Sequence, residues 1–520
     1  MVFSSLAFIG VFLPAVWLIQ MILPSIRWKN AILLIASVLF YAYGEPVYVI
    51  LLLGSSLMNW ILALLTADSR RREKTRKCFL VTAVILNIAL LAVFKYAGFL
   101  VQTADDLFHL GLPIPQIPLP IGISFYTFQA LSYVIDVYRD TCPVQKNLFD
   151  LMLYISFFPQ LIAGPIVKYR DIEKEIQSRR VTVDESAAGI RRFICGLAKK
   201  VLIANTCGLI VDTLYAAPMK QIFLPSAWLA AGAYLLQIYF DFSGYSDMAI
   251  GMGRMFGFHF RENFRYPYAA GTITEFWRRW HISLSEWLRD YLYIPMGGNR
   301  KGRARTIRNK FVVFLTCGIW HGANLTFLFW GFYHGVLLMV ESLAASRFGR
   351  KNSVSGDVLH YAEAAGTKSE KAGRMSAGTE ETRHTGAGTD EDRRLNIRTG
   401  HAESFAVKCF LHLYTIVAVT VGFVFFRADT LAQGFDMVRK MFTAFRMPSA
   451  SAEVLLWSVL TPSAITALCV GTVACLPVRT KVCGRPWYPV LVSAASLGIL
   501  AVCILNLAGG TYNPFIYFRF

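Results

Sequence analysis

Cys317-Gly318-Ile319-Trp320-His321-Gly322-Ala323-Asn324 lies inside a run, 311–340, that holds no Asp, Glu, Lys or Arg. Roughly 20 apolar residues are enough to cross a bilayer, so this stretch reads as a membrane helix with an imidazole inside it. An ionisable side chain at that depth is costly and marks a functional site by default. The glycines on either side let other atoms approach the backbone of His321. A second histidine stands forty residues upstream, in Thr274-Glu275-Phe276-Trp277-Arg278-Arg279-Trp280-His281-Ile282-Ser283. Together they point to proton chemistry inside a membrane protein.

The rest of the chain agrees with a bilayer. Its 520 residues are 55% hydrophobic and 16% charged, against about a quarter charged in a soluble domain. Mean hydropathy is +0.46. Apolar runs recur along the whole length, and they predict an all-helical polytopic membrane protein with about eleven crossings. Gly and Pro interrupt several of them, which predicts re-entrant segments. The first run, 5–24, lacks a basic stretch before it and a cleavage site after it, so it reads as a retained helix. Most of the ten cysteines sit singly in apolar runs without metal-ligand spacing, as small buried hydrophobes.

Net charge is +19. Residues 346–404 contain ten Lys and Arg against nine Asp and Glu, so nearly all of the excess lies in the membrane blocks and their short loops. Basic loops such as Arg70–Lys77, 168–192 and 300–310 mark the cytoplasmic face. Loops this short between spans argue against nucleic acid as the partner; membrane lipid is the expected surroundings.

Four blocks follow from composition. Residues 1–115 are ordinary apolar helices. Residues 116–343 have runs broken by Gly, Pro, Asp, Arg, His and Asn, tolerated only where backbone is buried in protein or lines a cavity; a site belongs there. Residues 344–404, polar and nearly free of aromatics, predict a disordered hydrophilic loop. Residues 405–520 return to plain helices and end in Asn513-Pro514-Phe515-Ile516-Tyr517-Phe518-Arg519-Phe520.

No GxSxG, HExxH or Walker A sequence is present. Gly251-Met252-Gly253-Arg254-Met255-Phe256-Gly257 misses the dinucleotide spacing and reads as close helix packing. The informative segments of the middle block are Pro118-Leu119-Pro120-Ile121-Gly122-Ile123-Ser124-Phe125-Tyr126, Phe157-Phe158-Pro159-Gln160-Leu161-Ile162-Ala163-Gly164-Pro165 and Gln237-Ile238-Tyr239-Phe240-Asp241-Phe242-Ser243-Gly244-Tyr245-Ser246-Asp247. They are followed by Tyr266-Pro267, the Trp277–His281 stretch, Tyr293-Ile294-Pro295-Met296-Gly297-Gly298-Asn299 and Trp320-His321-Gly322. In this order the set resembles the membrane-bound O-acyltransferase family, and within it the bacterial alginate O-acetylase-like branch. Phe40-Tyr41-Ala42-Tyr43-Gly44, Phe425-Phe426-Arg427-Ala428 and the aromatic tail fit the same branch. The resemblance spans nearly the whole chain except 344–404.

The resemblance implies a central tunnel with His321 as the general base for acyl transfer to a hydroxyl, work a neutral imidazole suits near pH 7. It implies that His281 lines the same tunnel as the second catalytic candidate, beside Trp320. Asn324, one turn on, is expected to orient that ring or the substrate carbonyl. Arg278 and Arg279 are expected to bind the phosphates of an acyl donor. Asp241 and Asp247 are expected to pair with arginines of the block, with Asp241 also a candidate substrate contact. No metal or bound cofactor is expected; acetyl-CoA is the expected donor substrate. The function implied is movement of acetyl groups from cytoplasmic acetyl-CoA across the cell membrane for O-acetylation of an extracytoplasmic polysaccharide. An SGNH-type acetyltransferase outside the membrane is the expected partner. Two other readings stay open: D-alanyl transfer to teichoic acid, and a proton-coupled transporter built on the same histidines and aspartates.

Overall fold

The computed structural model describes residues 2–347, 405–446, 449–477, 488–510, 512–514 and 516. They are largely helical, with no strand among the described residues. The loop expected over 344–404 lies, from residue 348 onward, outside them; the helix before it continues to Arg347.

Among the described residues six helices are long and apolar enough to cross a membrane: Tyr48–Ala67, Glu73–Phe108, Val183–Ala216, Leu325–Ala344, Phe405–Arg427 and Val490–Ala508. Ala450–Val459 and Pro462–Ala474 make a seventh only as a pair bent by 65°. Eleven crossings were expected. Several other apolar runs are core rather than clean spans, because apolarity marks burial in protein as readily as contact with lipid. The apolar run over 119–138 contains the helix Ile123–Tyr138, buried along almost its whole length. The run over 148–166 breaks: its helix stops at Ser156, and residues 157–169 continue as mostly irregular, fully buried chain. Its polar groups are met by side chains from elsewhere. Ser37 accepts from the Phe158 amide, Ser283 accepts from the Ile166 amide, and Tyr154 donates to the Val167 carbonyl. Irregular backbone inside a membrane protein is stable on those terms.

Six helices position the site, labelled in chain order: α1 (Glu73–Phe108), α2 (Val183–Ala198), α3 (Leu224–Met255), α4 (Arg303–His321), α5 (Leu325–Arg347) and α6 (Phe405–Arg427). α3 is the central post, buried on nearly every side. α2 lies against it at two pairs of glycines. A Cβ on Gly189 would stand 2.5 Å from the Gly251 carbonyl oxygen, and one on Gly196 would stand 2.5 Å from that of Gly244. Gly251 therefore serves helix packing, as its neighbourhood suggested. Around the post, ion pairs replace solvent: Asp247 binds Arg192 at 2.7 Å and Lys199 at 2.6 Å. α4 and α5 form a hairpin whose backbones touch, since a Cβ on Gly318 would fall 2.4 Å from the Phe327 carbonyl oxygen. This hairpin brings the end of α4 to the middle of the molecule.

Candidate active site

His321 is the last residue of α4, and Gly322 leaves it in extended conformation. A helix end presents carbonyls with no partner in the helix. Here α1 supplies them: Lys95 donates to the Trp320 carbonyl, and Tyr96 donates to that of Ile319. A cation at a helix C-terminus also complements the dipole. The buried His321 ring sits in an aromatic cage. Trp320, Trp330 and Phe426 have centroids 4.9, 5.2 and 4.9 Å away, all three edge-on. Contacts of that geometry fix the ring plane without using its nitrogens.

His281 joins the short helices Ile273–Arg279 and Ile282–Leu288 and adopts φ 44°, in the left-handed region. A non-glycine residue stays there only when its surroundings dictate it. Asn263 does so. Its Oδ1 accepts from the Ser283 amide at 3.1 Å and from the Ser283 hydroxyl at 2.9 Å, and His281 Nδ1 lies 3.2 Å from the same oxygen. An oxygen already accepting twice assigns Nδ1 as a third donor, which leaves Nε2 as the basic nitrogen. Nε2 has no hydrogen-bond partner among the described residues.

Two cavities meet at His321. One is an open cleft of about 240 Å³ lined by Lys95, the Pro120–Phe125 turn, Ile162, Trp320 and His321. The other is a small void of about 20 Å³ bordered by both His281 and His321, with Phe242, Phe423, Phe426 and Ile516 among its walls. The structure thus brings His321, His281 and Trp320 together, and puts His321 in the wall of both spaces.

The other candidates lie elsewhere. Arg278 and Arg279, expected to bind the donor, line neither cavity. On the helical turn 273–279 Ile273 and Phe276 take the buried face, and the arginines lie off it: Arg278 is exposed and Arg279 is paired with Glu275. Asn324, expected to orient the His321 ring, begins α5 instead. Its Oδ1 accepts from the Thr326 amide and its Nδ2 donates to the Asp429 carbonyl, a typical use of Asn at a helix start. Asp241, buried in α3, pairs with Lys200 at 2.5 Å rather than with an arginine, and accepts the Ile516 amide at 2.7 Å. It contacts the chain's own tail. Among the described residues no cluster of three or more His, Cys, Asp or Glu could hold a metal ion.

Three residues of the site were not singled out from sequence. Lys95 is a lone cation in an apolar run, and His334 lies in the same uncharged run as His321; the signal that marked His321 applied to both. His334 is fully buried behind Trp330, at 5.2 Å, and faces the Trp277 indole N–H at 3.4 Å. Ile516 carried no signal, being one apolar residue in an aromatic tail.

The sequence model of the membrane-bound O-acyltransferase family matches residues 143–354. A probable alginate O-acetylase of Pseudomonas putida is 36% identical along 542 aligned residues, covering all of both chains. Its counterpart in Pseudomonas aeruginosa is 46% identical over 66% of each chain. A peptidoglycan O-acetyltransferase of Helicobacter pylori is 36% identical over 66% of this chain and 70% of its own. A teichoic acid D-alanyltransferase of Bacillus subtilis matches a shorter part, 29% identical over 42% of this chain and 58% of its own.

Proposed function

Because the chain belongs to the membrane-bound O-acyltransferase family, we propose that this multi-pass membrane acyltransferase passes acetyl groups from cytoplasmic acetyl-CoA across the cell's inner membrane, for O-acetylation of an extracytoplasmic polysaccharide. One observation supports this reading: His321 lines both the cleft beside Lys95 and the small pocket it shares with His281. A hydroxyl approaching the ring gives its proton to the imidazole as its oxygen attacks the thioester carbonyl. The tetrahedral intermediate collapses with cleavage of the C–S bond, and the departing thiolate takes the proton back. An ester and a free thiol result, and the imidazole is neutral again. His281, with Nδ1 committed to Asn263, offers Nε2 to position donor or acceptor. An SGNH-type acetyltransferase outside the membrane completes transfer to the sugar. Acetyl is favoured over D-alanyl because the acetyltransferase relatives match two thirds or more of this chain, and the D-alanyl relative less than half.

The test is thioester turnover by purified protein supplied with labelled acetyl-CoA, with and without the partner. His321→Ala is expected to lower turnover by about 10²–10⁴-fold while the thermal transition is kept. Undiminished turnover in that variant would remove His321 from the chemistry. Turnover with a D-alanyl carrier protein but not with acetyl-CoA would replace the donor.

A further inference from the structure

The tail of the chain is not draped over the surface. Asp241 receives the Ile516 amide at 2.7 Å, and Lys200, paired with Asp241, donates to the Pro514 carbonyl. Asn513 is held by Ser4 on one side and by Asn205 at 3.1 Å on the other, while Tyr512 donates to Asp212. Gly208 leaves room for this passage: a Cβ there would meet the Tyr512 ring at 3.1 Å. An ion pair placed in the interior to grip a backbone amide and a backbone carbonyl is an expensive anchor for a terminal segment. It places one side chain: Ile516, 5% exposed, which closes the void beside His281 and His321.

The size of that void has a chemical consequence. The space bordered by these residues is about 20 Å³, and roughly 10–15 Å³ suffices for one water-sized group. A methyl group on a carbonyl carbon held at His321 fits there; a longer chain meets Ile516, Ile238 and Phe423. We propose that Ile516, fixed by the Asp241–Lys200 pair, is the specificity-determining residue that limits the transferred acyl group to acetyl. This rests on the acyl-transfer reading given above. It gives Asp241 a positioning part, as the post from which the tail residue is hung.

The experiment compares turnover of acetyl-CoA and butyryl-CoA by the full-length protein, its Ile516→Ala variant and the His321→Ala control. Shortening Ile516 is expected to raise the butyryl-to-acetyl ratio at least about tenfold, the smallest discrimination that one methylene in an apolar pocket provides. Ile238→Ala, on the α3 wall of the same void, is expected to shift the ratio in the same direction and serves if the tail variant does not fold. A ratio within twofold of the parent's in a folded variant of either kind overturns the proposal, as does a parent that uses butyryl-CoA as fast as acetyl-CoA. Undiminished acetyl-CoA turnover by His321→Ala is a separate result: it overturns the role of His321 at this void, whereas the ratio reports on its wall.

Discussion

Lys95 shows how a single side chain can govern a site without being the reacting group. It spans 225 residues of sequence to hold the Trp320 carbonyl, the last fixed point before the His321 ring. Lys95→Met keeps the stem and removes the ammonium, so the last turn of α4 loses a restraint while the aromatic cage remains. A displacement of about 1 Å in a reacting group costs up to about 10²-fold in rate. Steady-state kinetics should therefore show kcat reduced by about ten- to a hundredfold with KM for the thioester little changed; equal kcat would make the contact a packing detail. Asp241 belongs to the same scale. Removing one partner of a buried pair costs about 3–5 kcal/mol, so Asp241→Ala should lower the thermal transition sharply, and an unchanged transition would mean the pair is dispensable. His321 was legible because an imidazole in an uncharged run has few structural reasons to be there. For Arg279 and Asn324, sequence adjacency to His281 and His321 does not say which way a helical turn points a side chain: Arg279 pairs with Glu275, and Asn324 donates to the Asp429 carbonyl.

At the scale of elements, the α4–α5 hairpin decides where the catalytic ring sits. Gly318 and Gly331 face one another, and a Cβ on Gly331 would stand 2.6 Å from the Phe314 carbonyl oxygen. Backbone cannot yield as a flexible side chain can, so the two helices must part to accept a methyl group. Gly331→Ala is expected to destabilise by about 1–3 kcal/mol, seen as a lower apparent Tm in detergent, and to lower turnover by shifting the end of α4. Unaltered Tm and turnover would mean that the hairpin tolerates separation. The need for close approach around His321 was visible in Gly318 and Gly322; Gly331, half a hairpin away, was not. The apolar runs were equally visible, but a run such as 123–138 looks the same whether it faces lipid or other helices. Contacts between distant parts of the chain settle that difference.

The whole molecule divides into a polar-stitched centre and a greasy rim. Leu224–Met255 is buried over most of its length, whereas only 11% of the apolar window in Glu73–Phe108 and 6% of that in Val490–Ala508 is covered. The described residues around both cavities include none from the stretch after Arg347 and before Phe405. Replacing residues 352–400 with a short Gly-Ser linker should thus leave thioester turnover within about twofold, because loop length enters stability only logarithmically. A complete loss would assign that segment a part in the reaction. The contact between Ser4 and Asn513 bridges 509 positions. Closures of such separation are intrinsically slow, because chain entropy is lost before contacts repay it. A population trapped before this closure would have its helices formed and its spans inserted, with Ile516 not yet seated. Acyl-length discrimination then becomes a clock for maturation: in refolding experiments, selectivity should arrive after helicity, and the interval between them times the docking of the tail.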